Sequence, residues 1–185
     1  MTFFAGRGES LEGLLRKGRP LSKRRLLAAL GRAKQTETSE EMLGLLKSRQ
    51  LRLLLDRSLK VFGDATRRTI RLHSHLRNMQ TALGILVHEG RHVLDMRAGT
   101  IPSRRKPTAG EQLLAEGRAW ASELAFLARN EFQDSRRWRY LENGPREVLI
   151  SIELGYGIDE VASTEFARAL KDYESLFPTW RQYAL

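Results

Sequence analysis

His88 and His92 stand four residues apart in the run Ile85-Leu86-Val87-His88-Glu89-Gly90-Arg91-His92-Val93-Leu94-Asp95. On a helix that spacing sends both imidazoles from one face, where they can share one zinc ion. Glu89 lies on the adjoining flank, where its carboxylate can take a proton from water at such a metal without being a ligand itself. Leu83, Leu86, Val87, Val93 and Leu94 predict that this helix is buried and its site shielded. The chain has four histidines, two of them used here, and no cysteine. Thiolate metal sites, disulfides and cysteine nucleophiles are therefore excluded, and any further ligand is a histidine or a carboxylate.

Two glutamates compete to complete the set. Thr108-Ala109-Gly110-Glu111 reads as a capping box opening a helix to about Asn130, in which Leu113, Trp120, Leu124 and Leu127 form an apolar stripe. At 100° per residue Glu116 falls within about 80° of each of these. Glu123 lies about 20° from Glu116 around the axis and roughly 10 Å further along it. A carboxylate in an apolar stripe is costly without a compensating cation, so at least one of the two should face the metal. Two turns apart, they cannot both reach one ion.

The five residues His88-Glu89-Gly90-Arg91-His92 resemble the signature of the zincin metallopeptidases. The metzincin subclass requires Gly at position 95 and His or Asp at 98, where this chain has Asp95 and Ala98. The aspzincin turn requires an Asp after Gly99-Thr100, and Ile101, Pro102 and Ser103 follow instead. The gluzincin pattern places a glutamate on a second helix some tens of residues on. Glu116, 24 residues after His92 in Ala115-Glu116-Gly117-Arg118-Ala119-Trp120, fits it, although the Asp that often follows the glutamate is absent. Asp95 also resembles the H-E-x-x-H-x-x-D variant of compact bacterial toxin and effector peptidases, where it would orient the site without ligating. The resemblance covers about 45 residues. It implies a zinc-dependent endopeptidase with His88, His92 and Glu116 holding Zn2+ and Glu89 as general base. Glu123 would then hydrogen-bond a ligand histidine or pair with an arginine. It further implies a substrate-binding strand beside the cleft, which makes His73 and His75 candidate substrate contacts. Tyr140 and Tyr156 are weighed as oxyanion donors, with packing as their expected use.

Around these residues the pattern predicts an α+β fold, predominantly helical: a zincin-like core with a small sheet edge beside the His88–His92 helix and a second ligand helix. Ser10 to Lys17 reads as a short helix closed by Gly18 and Pro20, and Ser22 caps a second running to about Lys34. Thr38-Ser39-Glu40-Glu41 reads as a capping box, followed by a helix reaching roughly Val61 and stopping at Gly63. Thr69 to Arg77 alternates apolar and polar residues as a half-buried strand does. Met79 to Arg97 is helical and ends at Gly99; Pro102 to Pro107 is a basic loop. Glu147 to Leu154 is ambiguous between helix and strand, and Asp159 is expected to cap a last helix ending before Pro178. The expected division is a basic helical region over 1–63, set apart from or integral to a metallopeptidase domain over 64–185.

The net charge of +10 is uneven. Residues 1–77 hold 18 Lys and Arg against 7 Asp and Glu, whereas the remainder is close to neutral. Such a region favours an anionic partner, nucleic acid or an acidic protein, with Lys23-Arg24-Arg25 as its densest patch. The second functional reading follows: a nucleic-acid-associated or anion-binding protein working through its N-terminal helices, with the metal site secondary or structural. No apolar run approaches the ~18 residues of a membrane span. The first residues lack the layout of a secretory signal, which makes the cytoplasm the default expectation, with signal-independent export as an effector also compatible.

Overall fold

The computed structural model describes residues 10–16, 21–102 and 105–183. Seven helices and a three-stranded sheet alternate with short turns in the described chain: α1 (Leu11–Leu15), α2 (Lys23–Arg32), α3 (Glu37–Lys47), β1 (Arg52–Asp56), β2 (Gly63–Thr66), β3 (Thr69–His73), α4 (Met79–Ala98), α5 (Ala109–Arg129), α6 (Pro145–Gly155) and α7 (Ser163–Leu176). A 3-10 segment, Trp138–Glu142, precedes α6, and another, Trp180–Tyr183, follows α7. The fold is α+β and predominantly helical. No described helix is long and apolar enough to cross a membrane.

Helix α4 is the centre of the molecule. Its apolar residues surround the axis instead of forming one stripe, and that composition demands burial on all sides. Leu83, Ile85, Leu86, Val87 and Val93 are almost wholly removed from solvent, and each such side chain contributes about 1.5–3 kcal/mol relative to exposure. Helix α5 packs along one side of α4, the sheet along another, and α1 to α3 over the rest. Helix α4 starts at Asn78, whose side chain accepts from the Thr81 amide. It stops at Gly99, whose φ of 76° is the left-handed conformation that glycine adopts without a Cβ penalty. Helix α5 opens with the expected capping box: the Glu111 amide donates to Thr108 Oγ1, and the Thr108 amide donates to the Glu111 carboxylate. That carboxylate also holds Arg105 at 2.5 Å.

The sheet has the order β1-β3-β2, with β1 parallel and β2 antiparallel to β3. This overturns the reading of residues 42–61 as one helix. Helix α3 ends at Lys47, and Arg52-Leu53-Leu54-Leu55-Asp56 is an edge strand. Leu53 is buried while Leu54 is exposed, which is the alternation of a strand with one face on the core. The α3 cap also lies two residues earlier than expected: Thr36 Oγ1 accepts from the Ser39 amide, and the Ser39 hydroxyl accepts from the Thr36 amide. Thr38 lies inside the helix, where its buried hydroxyl donates to Ser122 of α5. The sheet straddles position 63, and one hydrophobic core runs from Leu14 and Leu26 through Leu53, Leu83 and Leu124 to Phe177. The basic N-terminal segment is thus packed on the α4–α5 core.

Two smaller expectations also change. Residues 145–155 are helical, with Pro145 in the first turn. The last helix begins at Ser163 with no side-chain cap, so Asp159 does not cap it. Ser22 caps α2 as expected, and Ser10, expected as the first residue of its helix, caps α1. Gly18 and Pro20 lie outside the described residues.

Candidate metal centre and adjoining cleft

His88 and His92 project from one face of α4, with ring centroids 5.0 Å apart. Glu116, from the middle of α5, reaches between them. One carboxylate oxygen lies 3.4 Å from His88 Nε2 and the other 3.6 Å from His92 Nε2. Donor atoms of the three residues all fall within 4.8 Å of one another. Ligands about 2.05 Å from a tetrahedral zinc ion are separated by about 3.3 Å, so these spacings fit a shared cation. Hydrogen bonding does not account for the arrangement, because Glu116 Oε2 is buried with no hydrogen-bond partner. A cation between the three residues would satisfy it, and the nitrogen and oxygen donors suit zinc.

Electrostatics in the metal-free chain show how tightly the three groups are coupled. Burial disfavours a charged His88, but the close carboxylates of Glu116 and Glu123 outweigh it and raise its pKa to about 9. Burial likewise works against the Glu116 carboxylate, yet the two imidazoles hold its pKa well below the ordinary value. A proton on His88 thus offsets part of the negative charge of the two carboxylates beside it.

Glu123 is fully buried and does not enter the triad. Its Oε2 lies 3.2 Å from His88 Nδ1, close but out of line for a hydrogen bond, and accepts a short bond from Arg137 Nη1. Room for this carboxylate comes from Gly84 of α4, where a Cβ would lie 2.8 Å from Glu123 Oε1. Arg137 is held in turn over the face of Trp120, 4.4 Å from its centroid. The Trp120 ring meets His88 edge-on at 5.9 Å and Tyr140 at 4.9 Å. Helix α5 thus supplies one carboxylate to each side of His88, and Glu116 is the one that joins the two histidines in a group able to hold a metal ion.

Glu89 is buried beside the triad, not in it. Burial raises its pKa, and the charges of His88 and His92 partly oppose the shift. Strand β2 passes directly over it: a Cβ on Gly63 would lie 2.9 Å from Glu89 Oε1. Asp95, one turn beyond His92, is buried and paired with Arg91 at 2.5 Å and Arg118 at 3.0 Å. Burial raises its pKa to about 6 despite these arginines.

A cleft of about 630 Å³ opens next to this centre, sharing Ile85, Trp120 and Arg137 with its surroundings. No known protein family, curated protein or solved structure matches the chain.

His73 and His75 both line the cleft, but not as neighbours on an exposed edge. Strand β3 is the central strand, hydrogen-bonded on both sides, and His75 lies in the turn beyond it, where its amide donates to His73 Nδ1. The sheet edge nearest Glu89 is β2. Tyr140 is occupied by packing against Trp120 and by Arg139, 5.1 Å over its ring. Tyr156 has a polar neighbourhood that the sequence did not show. The loop after α6 brings its hydroxyl beside Glu116 and Trp120, where desolvation of the hydroxyl, then the Glu116 charge, raises its pKa, although the residue as a whole is half-exposed. Its flanking Gly155 and Gly157 were the available signal, marking a turn able to carry the ring back to α5. Of the patch at the start of α2, Lys23 and Arg24 are exposed, whereas Arg25 donates to the Leu14 carbonyl at 2.7 Å and ties α1 to α2.

Proposed function

We propose that the chain is a zinc-dependent peptidase with His88, His92 and Glu116 as metal ligands. The observation that carries this reading is the convergence of these three donors at ligand spacing, with a buried carboxylate of raised pKa, Glu89, on the flank of the same helix. A zinc ion held by His88, His92 and Glu116 would supply Lewis acidity toward a scissile carbonyl and would make a nearby water more acidic. Glu89 accepts the proton from the attacking water and delivers it to the leaving amine, a transfer favoured when the base titrates nearer to neutrality than a free carboxylate does. Gly63, having no Cβ, lets β2 lie directly against the Glu89 carboxylate. Tyr156, protonated and beside Glu116, is the donor best placed to stabilise a developing oxyanion. Glu123 and Arg137 fix the His88 ring from behind, as the outer partners of metal-ligating histidines generally do.

The test is Glu89→Gln in the zinc-loaded protein. A base that is not a ligand predicts full zinc content with hydrolysis of a mixed peptide substrate reduced by at least about 100-fold. Loss of zinc together with activity would make Glu89 structural and contradict this assignment.

A further inference from the structure

The cleft beside the metal centre carries a charge pattern that peptide hydrolysis as such does not require. Its described lining includes Lys60, Arg77, Arg136 and Arg139, all exposed, together with His73 and His75, and contains no Asp or Glu. Arg137 is a fifth cation but is committed to Glu123. None of the other four makes an ion pair with a described residue. The carboxylates on the neighbouring sheet, Asp56 and Asp64, are both held by Arg71.

Three separate connections deliver these charges to one concavity. Lys60 comes from the β1–β2 loop, Arg77 from the β3–α4 turn, and Arg136 and Arg139 from the segment between α5 and α6. Unneutralised cations gathered on a concave, partly apolar surface repel one another and concentrate anions in the space between them. Leu59, Phe62 and Leu76 supply the apolar part of the wall, and Ile85 and Trp120 carry it to the metal centre.

The aromatic groups decide which kind of anion fits. Single-stranded nucleic acid is held by bases stacked on open aromatic faces. Here the Trp120 face is covered by Arg137, and its ring is met edge-on by His88 and Tyr140. The Tyr140 face is taken by Arg139, which leaves Phe62 as the one exposed Phe, Tyr or Trp ring in the described lining, short of the run of platforms that successive bases need. Extended chain with short carboxylate side chains needs no such platform and can use the four cations singly.

We propose that this cleft selects peptide segments rich in Asp and Glu and leads them to the metal centre. The assignment rests on the peptidase reading for its destination and on the charge pattern for its selectivity. The two parts are tested separately. Zinc-loaded full-length Glu89→Gln protein is titrated into labelled peptides of about ten residues that differ only in carrying four Asp/Glu or four Lys, with fluorescence anisotropy as readout. The acidic peptide is expected to bind at least about tenfold more tightly at about 50 mM salt. Most of that advantage should be lost at about 500 mM, as the screening length shortens. Combining Arg136→Glu with Arg139→Glu should bring the two peptides to parity without lowering zinc content. Lys60→Glu with Arg77→Glu should do the same from the other two connections, and serves if the first pair disturbs folding. Equal affinities in the parent protein, or a preference surviving both reversals, would overturn the proposal. So would a single-stranded oligonucleotide of equal charge that displaces the acidic peptide at lower concentration. With Glu89 intact, cleavage of both peptides at equal rates contradicts the cleft assignment alone. Charge-selective binding with neither peptide cut supports it and contradicts the hydrolytic reading instead.

Discussion

Arg137 holds a position from which its removal should be felt in both stability and metal affinity. Its partner Glu123 has no solvent exposure, and His88 Nδ1 lies 3.2 Å from the same carboxylate, out of line for a hydrogen bond. Removing one member of a buried ion pair leaves the other charge uncompensated and costs about 3–5 kcal/mol. The lost stack on Trp120 adds about 0.5–2 kcal/mol, part of which a methionine recovers through its own contact with the ring. In the metal-free protein a protonated His88 compensates some of the stranded charge, since its pKa is raised to about 9. The net expectation for Arg137→Met at neutral pH is about 3 kcal/mol of lost stability, read from urea unfolding. Adding Glu123→Gln removes the stranded charge, so the double variant should be more stable than Arg137→Met alone by about 2 kcal/mol. A single-variant loss below about 1 kcal/mol, or strictly additive effects, would refute the claim that this pair is a coupled support for His88.

Two further outcomes follow from charge. The raised His88 pKa means that the metal-free chain carries a proton there at neutral pH, and zinc must displace it. Apparent zinc affinity should therefore climb about tenfold per pH unit from pH 6 and level off near 9 in a chelator competition, while a flat profile would contradict this coupling. The same shift stabilises the metal-free fold fully below the ordinary value of 6.5, and that contribution is lost as pH rises through about 9. Separately, if the exposed Lys23 and Arg24 serve an anionic partner, retention on heparin should fall steeply with salt and drop on reversing both, at unchanged zinc content. Unaltered retention would assign that patch to ordinary solvated surface.

How much of this was legible in the sequence depended on whether the signal was local. The α4 and α5 helices, the Thr108 box and the Glu116 and Glu123 pair follow from spacing and capping within one element, and the structure brings those residues together. Strand β1 was missed because Leu53-Leu54-Leu55 has no β-branched residue. It is a strand by virtue of its parallel pairing with β3, a contact that joins Arg52 to Thr69 and that no periodicity reports. The α3 cap was misplaced by two residues because Thr36 and Thr38 each open a plausible box, and only the buried bond from Thr38 to Ser122 decides between them. His73 was read as lying on an edge, since centrality is a property of neighbours on both sides. The basic cleft was invisible for the same reason: its cations come from three distant connections, and the count over residues 1–77 takes in Lys60 and Arg77 but not Arg136 and Arg139.

The most direct test of the metal centre is a zinc titration of the purified protein beside His88→Ala, Glu116→Gln and Glu123→Gln, with metal content and affinity read on the same samples. The parent protein should bind one zinc per chain, and His88→Ala should lose it. Glu116→Gln should lose affinity far more than Glu123→Gln, whose expected loss is about 10–100-fold as an outer partner of His88. A parent protein that takes up no zinc, or a Glu116→Gln variant that binds it more tightly than Glu123→Gln does, would contradict the account.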